Sequence, residues 1–282
     1  MVEHSSPTLR RRELGARLRE LRQQANLTVE QVADELLCSA AKISRIETGA
    51  GGRGVNPRDV RDLCQLYRVE GAEREHLMAL VKESKQQTWW QELDLPYKPF
   101  IGLEAAAVSI RDYESGLVPG LLQTQEYARA LIEGMVPRLG ADMVQQSLDA
   151  RLKRQEILTR ESPTRLHAII DEAAVRRVVG GPEVMREQLA ALIERAALPN
   201  VTVQLIPFEA GAHPGQDSTF MILEEPTGAD VVYIEGLVGN VYLERPADLE
   251  RYTDVYDDLR SIALGPKDSV ARFRLIERSY QR

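Results

Sequence analysis

Cysteine is scarce in this chain of 282 residues, which contains only Cys38 and Cys64. Two thiols are too few for a disulfide framework, so they indicate a protein of the reducing cytoplasm in which both act as small apolar residues. Histidine is scarce as well: His167 and His213 are the only ones after His76, and no cysteine accompanies them. Because the ligand spacing of a metal cage is absent, we expect no metal site and no cofactor.

Long apolar runs are missing too. No stretch of the sequence approaches the roughly 18 residues that a membrane-spanning helix needs, and the first residues lack the apolar segment of a signal peptide. We therefore expect a soluble, cytoplasmic protein that does not engage a membrane. The hydrophobic content of 43% suffices for a sizeable core, and the length accommodates two domains.

An excess of basic charge is also absent, since 36 basic side chains stand against 43 acidic ones. This balance excludes a uniformly basic coat for nucleic acid but not a local basic face. Residues 1–70 carry 12 basic and 10 acidic side chains and the rest carry 24 and 33, which gives net charges of +2 and -9. A weakly basic small domain before an acidic larger one is common in DNA-binding regulators. A solvated helix surface explains the charges equally well.

The first 88 residues are predicted to form a bundle of five helices. An apolar stripe at helical spacing marks the first, with members Leu14, Leu18, Leu21 and Ala25. Thr28 lies three residues before Gln31, which is the spacing of a capping box, and Ser39 is a second candidate cap. Pro57 suits the first turn of a fourth helix, and residues 72–88 form the fifth.

The segments Thr28–Leu36 and Ser39–Thr48 form a candidate helix-turn-helix. Ala33 is small enough for a close helix crossing, and Ile43 and Ile46 anchor the second helix. The remaining positions are then expected to face outward, where such a helix can enter the major groove: Ala40, Lys42, Ser44 and Arg45. A small helical bundle without any DNA-binding role would show the same periodicity.

Two stretches of this region, Leu27–Ala33 and Ser39–Gly49, resemble the lambda-repressor-like (XRE-type) helix-turn-helix family over about residues 10–69. The resemblance implies binding of double-stranded DNA. Val29 departs from the glutamine that is frequent after the threonine, and Ala40 and Ala41 offer no hydrogen bonds. Base reading therefore depends on Lys42, Ser44 and Arg45, with a thymine methyl contact from an alanine. The full set of predicted DNA-binding residues is Thr28, Ser39, Ala40, Lys42, Ser44, Arg45 and Arg53.

Arg53 enters this set because it lies in the glycine-rich loop of residues 49–54, from which an arginine can reach the DNA backbone. Glu47 is expected to be structural, pairing or capping within the bundle.

Residues 89–100 are predicted to be a linker, because Pro96 and Pro99 favour extended backbone. Residues 101–282 are predicted to form an α+β domain with helices against one face of a sheet. Its strands are expected at Leu166–Asp171, Val201–Pro207, Thr219–Leu223, Val231–Ile234 and Asn240–Leu243. Its later helices are expected at about 172–178, 182–198, 246–264 and 268–282.

No enzymatic site is predicted in the larger domain. Asp171 and Glu172 could serve acid–base chemistry, but capping of the following helix is the favoured interpretation. The segment Gly211–Gly215 could cover a ligand, although a plain hairpin connection is favoured. Ser218 and Lys267 are the residue types of a self-cleaving repressor, but no nucleophile motif surrounds them.

A second resemblance rests on Leu117–Thr124, Arg151–Gln155, Ile170–Ala174 and Val201–Phe208. These segments are similar to the C-terminal domain of a large actinobacterial regulator family that includes the WhiJ-like proteins, over about residues 97–270. The resemblance implies an antitoxin-like transcriptional regulator, often encoded beside a small partner protein.

Together these observations predict a sequence-specific regulator that binds DNA as a homodimer and whose larger domain senses a small partner protein or a small-molecule effector. The alternative is an antitoxin-like factor that sequesters a small partner protein and regulates its own operon.

Overall fold

The computed structural model describes residues 7–49, 55–85, 88–93, 95, 97–136, 138–226, 230–236 and 239–280. The chain divides into two compact units, Met1–Ala106 and Ala107–Arg282. This division lies a few residues beyond the linker predicted at 89–100. The α-helical first unit and the mixed α and β second unit agree with the predicted fold class.

The first unit is built from helices. They are α1 (Pro7–Gln24), α2 (Val29–Glu35), α3 (Ala40–Glu47), α4 (Pro57–Leu66), α5 (Gly71–Glu83) and α6 (Lys98–Ala106). Thr28 and Gln31 form the predicted capping box at the start of α2, with N–O distances of 3.2 and 2.8 Å. Ser39 caps α3 by accepting a hydrogen bond from the Lys42 backbone N–H. Gly49 follows α3 with a φ of 65°, as expected for a left-handed stop.

The core of the first unit contains the predicted apolar positions of α1 to α5, with one exception. The fully buried members include Leu14, Leu18, Val32, Ile43, Val60, Leu63 and Leu77. Ala25 is exposed, so its predicted place in the α1 stripe is wrong. The reason is that α1 ends at Gln24 and Asn26 adopts a φ of 55°, which turns the chain away. The fifth helix ends at Glu83, five residues before the predicted end.

The predicted extended segment around Pro99 is helical instead. Pro99 is the second residue of α6, where the missing N–H would have no helical partner in any case. Helix α6 packs against α1, and Phe100, Ile101 and Leu103 are buried. A proline at this position therefore marks the start of a helix here and not a linker.

The second unit contains a six-stranded mixed sheet in the order β3-β2-β1-β4-β5-β6. The strands are β1 (Ser109–Glu114), β2 (Arg165–Asp171), β3 (Val201–Ile206), β4 (Phe220–Glu224), β5 (Val231–Ile234) and β6 (Val241–Leu243). The helices are α7 (Gln125–Met135), α8 (Ala141–Arg154), α9 (Glu172–Arg176), α10 (Pro182–Arg195), α11 (Pro246–Ile262) and α12 (Pro266–Ser279). Strands β1, β2 and β3 are parallel, and β4, β5 and β6 continue the sheet in antiparallel order.

Both faces of the sheet are covered, so the prediction of helices against one face is wrong. On one face, Tyr256 and Leu259 of α11 pack on Ile169 and Phe220. On the opposite face, the side chains of β1 and β2 are also buried, for example Ile110. Parallel strands joined by helical crossovers are normally covered on both sides, which accounts for the difference.

The connection from β3 to β4 is not a hairpin, contrary to the favoured prediction for Gly211–Gly215. Strand β3 is at one edge of the sheet, whereas β4 pairs with β1, so the chain crosses two strands. Gly215 contacts the ring of Tyr113 so closely that a Cβ there would lie 2.5 Å from a ring carbon.

Among the described residues, none of the helices is sufficiently long and apolar to cross a lipid bilayer.

Candidate nucleic-acid interface

Helices α2 and α3 form the predicted helix-turn-helix. Ile43 and Ile46 are 1% and 7% exposed and fix α3 on the core of the unit. On the other side of α3, Ala41, Ser44 and Arg45 are exposed. Arg45 makes no ion pair with another described residue, so its guanidinium is available to a ligand. This exposed side of α3 is the candidate reading face.

Ala40 lies beside that face and is less exposed than its predicted outward position implies. It is half-buried and packs against the core of the first unit. The helical repeat explains this, because residues three apart lie on the same side of a helix and Ala40 precedes Ile43 by three. Of the two alanines, Ala41 is the one whose methyl group is open to solvent.

Lys42 is at the border of the reading face and is already engaged. Its ammonium Nζ lies 2.7 Å from Asp59 Oδ1 in the first turn of α4. The hydrogen bond to Asp59 raises the pKa of Lys42 above its ordinary value. The side chain keeps 40% of its exposure, so the ammonium still reaches solvent. Nothing local in the sequence indicates Asp59, since a pairing across 17 residues between two helices has no local signal.

Thr28 and Ser39 are exposed, and both use their side-chain oxygens as helix caps. A capping hydroxyl accepts a backbone N–H and retains its own hydrogen as a donor. Each is therefore able to donate to a phosphate oxygen beside its helix start. Arg53 is outside the described residues. Arg58, in the first turn of α4, is exposed and forms no ion pair with a described residue, which makes it a further cation close to Asp59.

A nearly buried ion pair braces α3 against α1. Arg22 donates two hydrogen bonds to Glu47, at 2.7 and 2.9 Å, and a third to the carbonyl of Leu27 at 2.8 Å. The hydrogen bonds that Glu47 accepts raise the pKa of Arg22 above its ordinary value. The prediction that Glu47 is structural is confirmed.

Gly15 allows the close approach of the same two helices. A Cβ at Gly15 would lie 2.5 Å from the carbonyl oxygen of Ile46 and 2.6 Å from that of Glu47. Ala33, the residue predicted to allow a close helix crossing, is indeed buried, but Gly15 is not among the predicted residues. A glycine next to Leu14 in the apolar stripe of α1 was the available signal.

In the second unit, the structure confirms that Asp171 is a cap. Its Oδ1 accepts the backbone N–H of Ala173 at 2.7 Å, and its Oδ2 lies 3.2 Å from His213 Nε2. Glu172 is buried, bridges Arg176 and Arg272, and accepts the N–H of Phe208. These contacts join α9, α12 and the segment after β3. Within the described part of the chain, no group of three or more metal-ligating side chains is placed to hold an ion.

Comparison with known families agrees with this geometry. Residues 13–77 match the model of a helix-turn-helix domain, so the first unit is an XRE-like helix-turn-helix module. Residues 97–274 match a family described as a domain of unknown function (DUF5753). Since that match covers more than half of the chain, the protein belongs to the DUF5753 family. The matched region begins before α6, although α6 packs within the first unit. No curated protein and no solved structure matches the chain.

Proposed function

We propose that this protein is a sequence-specific transcriptional regulator that reads operator DNA with α3. One observation carries the proposal: α3 is fixed on its inner side by Ile43, Ile46 and the Arg22–Glu47 pair, while Ser44 and Arg45 on its outer side are exposed. A rigid helix with polar side chains on one open face is what base reading in the major groove requires.

The contacts divide into two classes. Arg45, Ser44 and Lys42 read base edges, while Thr28, Ser39 and Arg53 bind the phosphate backbone. Phosphate contacts supply affinity without sequence preference, and base contacts supply the preference. The protein acts on DNA as a homodimer, because one short helix reads few base pairs.

We propose further that the second unit mediates dimerisation and responds to a small partner protein or a small-molecule effector, in the cytoplasm and without catalysis. The resemblance to WhiJ-like regulators supports this role. It also supports the alternative, in which the main task is to sequester a small partner protein and DNA binding serves autoregulation. Co-purification of a small protein encoded nearby would favour the alternative, whereas tight operator binding by the isolated protein would favour the first proposal.

The test is selection of binding sites from a random duplex library by the full chain, followed by titration of the selected duplex and of random DNA. Arg45→Ala should weaken binding to the selected duplex by about tenfold or more if the guanidinium contacts a guanine edge. Arg53→Ala should weaken both DNAs alike and flatten the salt dependence by about one unit of slope.

Arg245→Ala is the matched control. It removes the same charge from an exposed ion pair of the second unit, with Asp248, and should bind DNA as the parent does. If the parent selects no sequence, or if Arg45→Ala and the parent bind the selected duplex equally, α3 does not have the proposed role.

A further inference from the structure

Asp59 has a feature that the proposed reading of DNA does not explain. It is a carboxylate at the edge of a surface that would approach phosphates, where a negative charge opposes binding. It lies in the first turn of α4, and its side chain is 21% exposed. An acidic residue in a first turn stabilises its helix, which accounts for its presence but not for its contact with Lys42.

The contact with Lys42 joins the first turns of two helices. The Ser39 cap makes Lys42 the third residue of α3, and the Asn56 cap makes Asp59 the third residue of α4. The 2.7 Å distance from Nζ to Oδ1 is that of a charge-assisted hydrogen bond. The two side chains border a small crevice whose walls include Leu36, Ile43, Ile46 and Leu63. Lys42 is 40% exposed and Asp59 21%, so the pair is partly shielded from solvent and not fully exposed.

We infer that Asp59 is a positioning residue for DNA recognition, which holds the Lys42 ammonium in place for a guanine edge and restrains it from binding phosphates without regard to sequence. The inference rests on the proposed function. An ammonium has three N–H donors, so one can remain on Asp59 while the others bind the O6 and N7 acceptors of guanine. Lysine otherwise has a flexible four-carbon stem and acts as a mobile point charge. An ammonium fixed at one place therefore favours a DNA sequence with a guanine there, whereas a mobile ammonium binds phosphates of any sequence.

The expected consequence concerns the ratio of affinities for selected and random DNA. In Asp59→Asn, a neutral amide of the same shape replaces the carboxylate. Its oxygen holds the Lys42 ammonium less firmly than a charged carboxylate does, so Lys42 reaches a phosphate more readily. We expect binding to random DNA to tighten and its salt dependence to steepen by about one unit of slope. The ratio of the two affinities should fall by about fivefold to tenfold, which is within the discrimination that one base contact provides.

Asp62→Asn is the matched control. Asp62 is one turn further along α4, exposed, and borders the same crevice, but it makes no hydrogen bond to Lys42 among the described contacts. This variant removes the same charge, so it should tighten binding to both DNAs alike and leave the ratio unchanged. A double-variant cycle with Lys42→Met provides the second readout. Once the ammonium is absent, Asp59→Asn should no longer alter the ratio.

The outcomes separate the inference from the proposed function. Selection of a sequence by the parent chain tests the proposed function; without it, both ideas fail. If the parent selects a sequence but Asp59→Asn leaves the ratio unchanged, Asp59 does not position Lys42. The same conclusion follows if Asp62→Asn lowers the ratio equally, since charge alone would then explain the effect. If Asp59→Asn lowers the thermal stability and weakens binding to selected and random DNA equally, the role of Asp59 is limited to stabilising its helix. Circular dichroism of each variant verifies that it is folded.

Discussion

Substitution of Gly15 by alanine tests the account of how α1 and α3 pack. Alanine is favoured over glycine inside a helix by about 0.5–1 kcal/mol, so helix propensity alone predicts a gain in stability. The new methyl group would lie 2.5–2.8 Å from backbone atoms of Ile46 and Glu47. Backbone atoms cannot rotate away, so the helices must separate. Overpacking of this kind costs about 1–3 kcal/mol, and more when backbone must move. The steric term exceeds the propensity term, and Gly15→Ala should destabilise the first unit by about 1–2 kcal/mol.

The assay uses the only two tryptophans of the chain, Trp89 and Trp90, which are both in the first unit. Tryptophan fluorescence during urea unfolding therefore reports on that unit alone. The Gly15→Ala midpoint should shift to lower urea with an unchanged slope. A parallel control, Ala16→Gly at an exposed position of α1, should lose about 0.5–1 kcal/mol from propensity only.

The opposite sign is expected in the second unit. Gly134 is exposed in the last turn of α7, and a Cβ there would meet nothing within 4 Å. Gly134→Ala should therefore stabilise the second unit, by up to about 0.5 kcal/mol, as measured by thermal melts followed by circular dichroism.

The account of how α1 and α3 pack is refuted if Gly15→Ala is as stable as the parent or more so, because the close approach of α1 and α3 would then not constrain residue 15.

Three further predictions concern stability. Glu47→Gln removes the negative charge of the nearly buried Arg22 pair and replaces one of its two acceptor oxygens by an NH2 donor. It should lower the urea midpoint by an amount equivalent to about 2 kcal/mol, and an unchanged midpoint would show that the pair contributes nothing. Leu37 has a φ of 50°, a left-handed conformation that strains a leucine backbone, and its side chain is 95% exposed. Asparagine adopts this conformation more readily, so Leu37→Asn should stabilise the first unit by about 0.5–1 kcal/mol in the same assay. A loss of stability would contradict the proposed backbone strain. Burial and the charge of Asp112 raise the pKa of Glu114, so the folded state retains a proton that the unfolded state releases at lower pH. Below the pKa that Glu114 has in the unfolded chain, this proton contributes its full stabilisation. The contribution is lost as the pH rises through the higher pKa that Glu114 has in the folded chain. Melts from pH 5 to pH 8 should therefore show a smaller decline for Glu114→Gln than for the parent, and equal declines would contradict this.

The elements that sequence reasoning located well are those defined by local spacing. A capping box depends on two residues three apart, so Thr28 and Gln31 identified the start of α2 without reference to the rest of the chain. The strand Val231–Ile234 was located to the residue, because a short run of branched and aromatic residues between turn residues has few other interpretations.

Strand β1 was missed for a physical reason. It is in the middle of the sheet, between β2 and β4, yet its sequence from Ser109 to Glu114 contains Arg111 and Asp112. A central strand normally appears as a continuous apolar run, and charged residues conceal it. The pairing that buries Asp112 is formed by strands more than 50 residues away, which a pattern within one window cannot reveal.

The candidate site divides in the same way. The helix-turn-helix and its anchors Ile43 and Ile46 followed from helical periodicity, and the exposure of Ser44 and Arg45 followed from those anchors. The engagement of Lys42 did not, since it depends on where α4 begins in space relative to α3. Periodicity assigns a side chain to a face of its own helix, but the neighbouring helix decides whether that side chain is free.

The number of readers on α3 bears directly on the proposed dimer. Each well-formed base contact discriminates by about 1–3 kcal/mol, and Ser44, Arg45 and Lys42 are three such side chains at most. Regulators typically bind their own site more tightly than random DNA by about 4–10 kcal/mol. Three contacts supply about 3–9 kcal/mol together, so one copy of α3 does not reach the top of that range even if every contact is well formed. Two copies on adjacent half-sites add their contributions and cover it. A duplex with one half-site should therefore bind the full chain at least about tenfold more weakly than one with two half-sites about one helical turn apart. Titration of both duplexes, with sedimentation of each complex, measures this difference. Equal affinities, or a single copy of the chain on the longer duplex, would show that one α3 suffices and would remove the reason for a dimer.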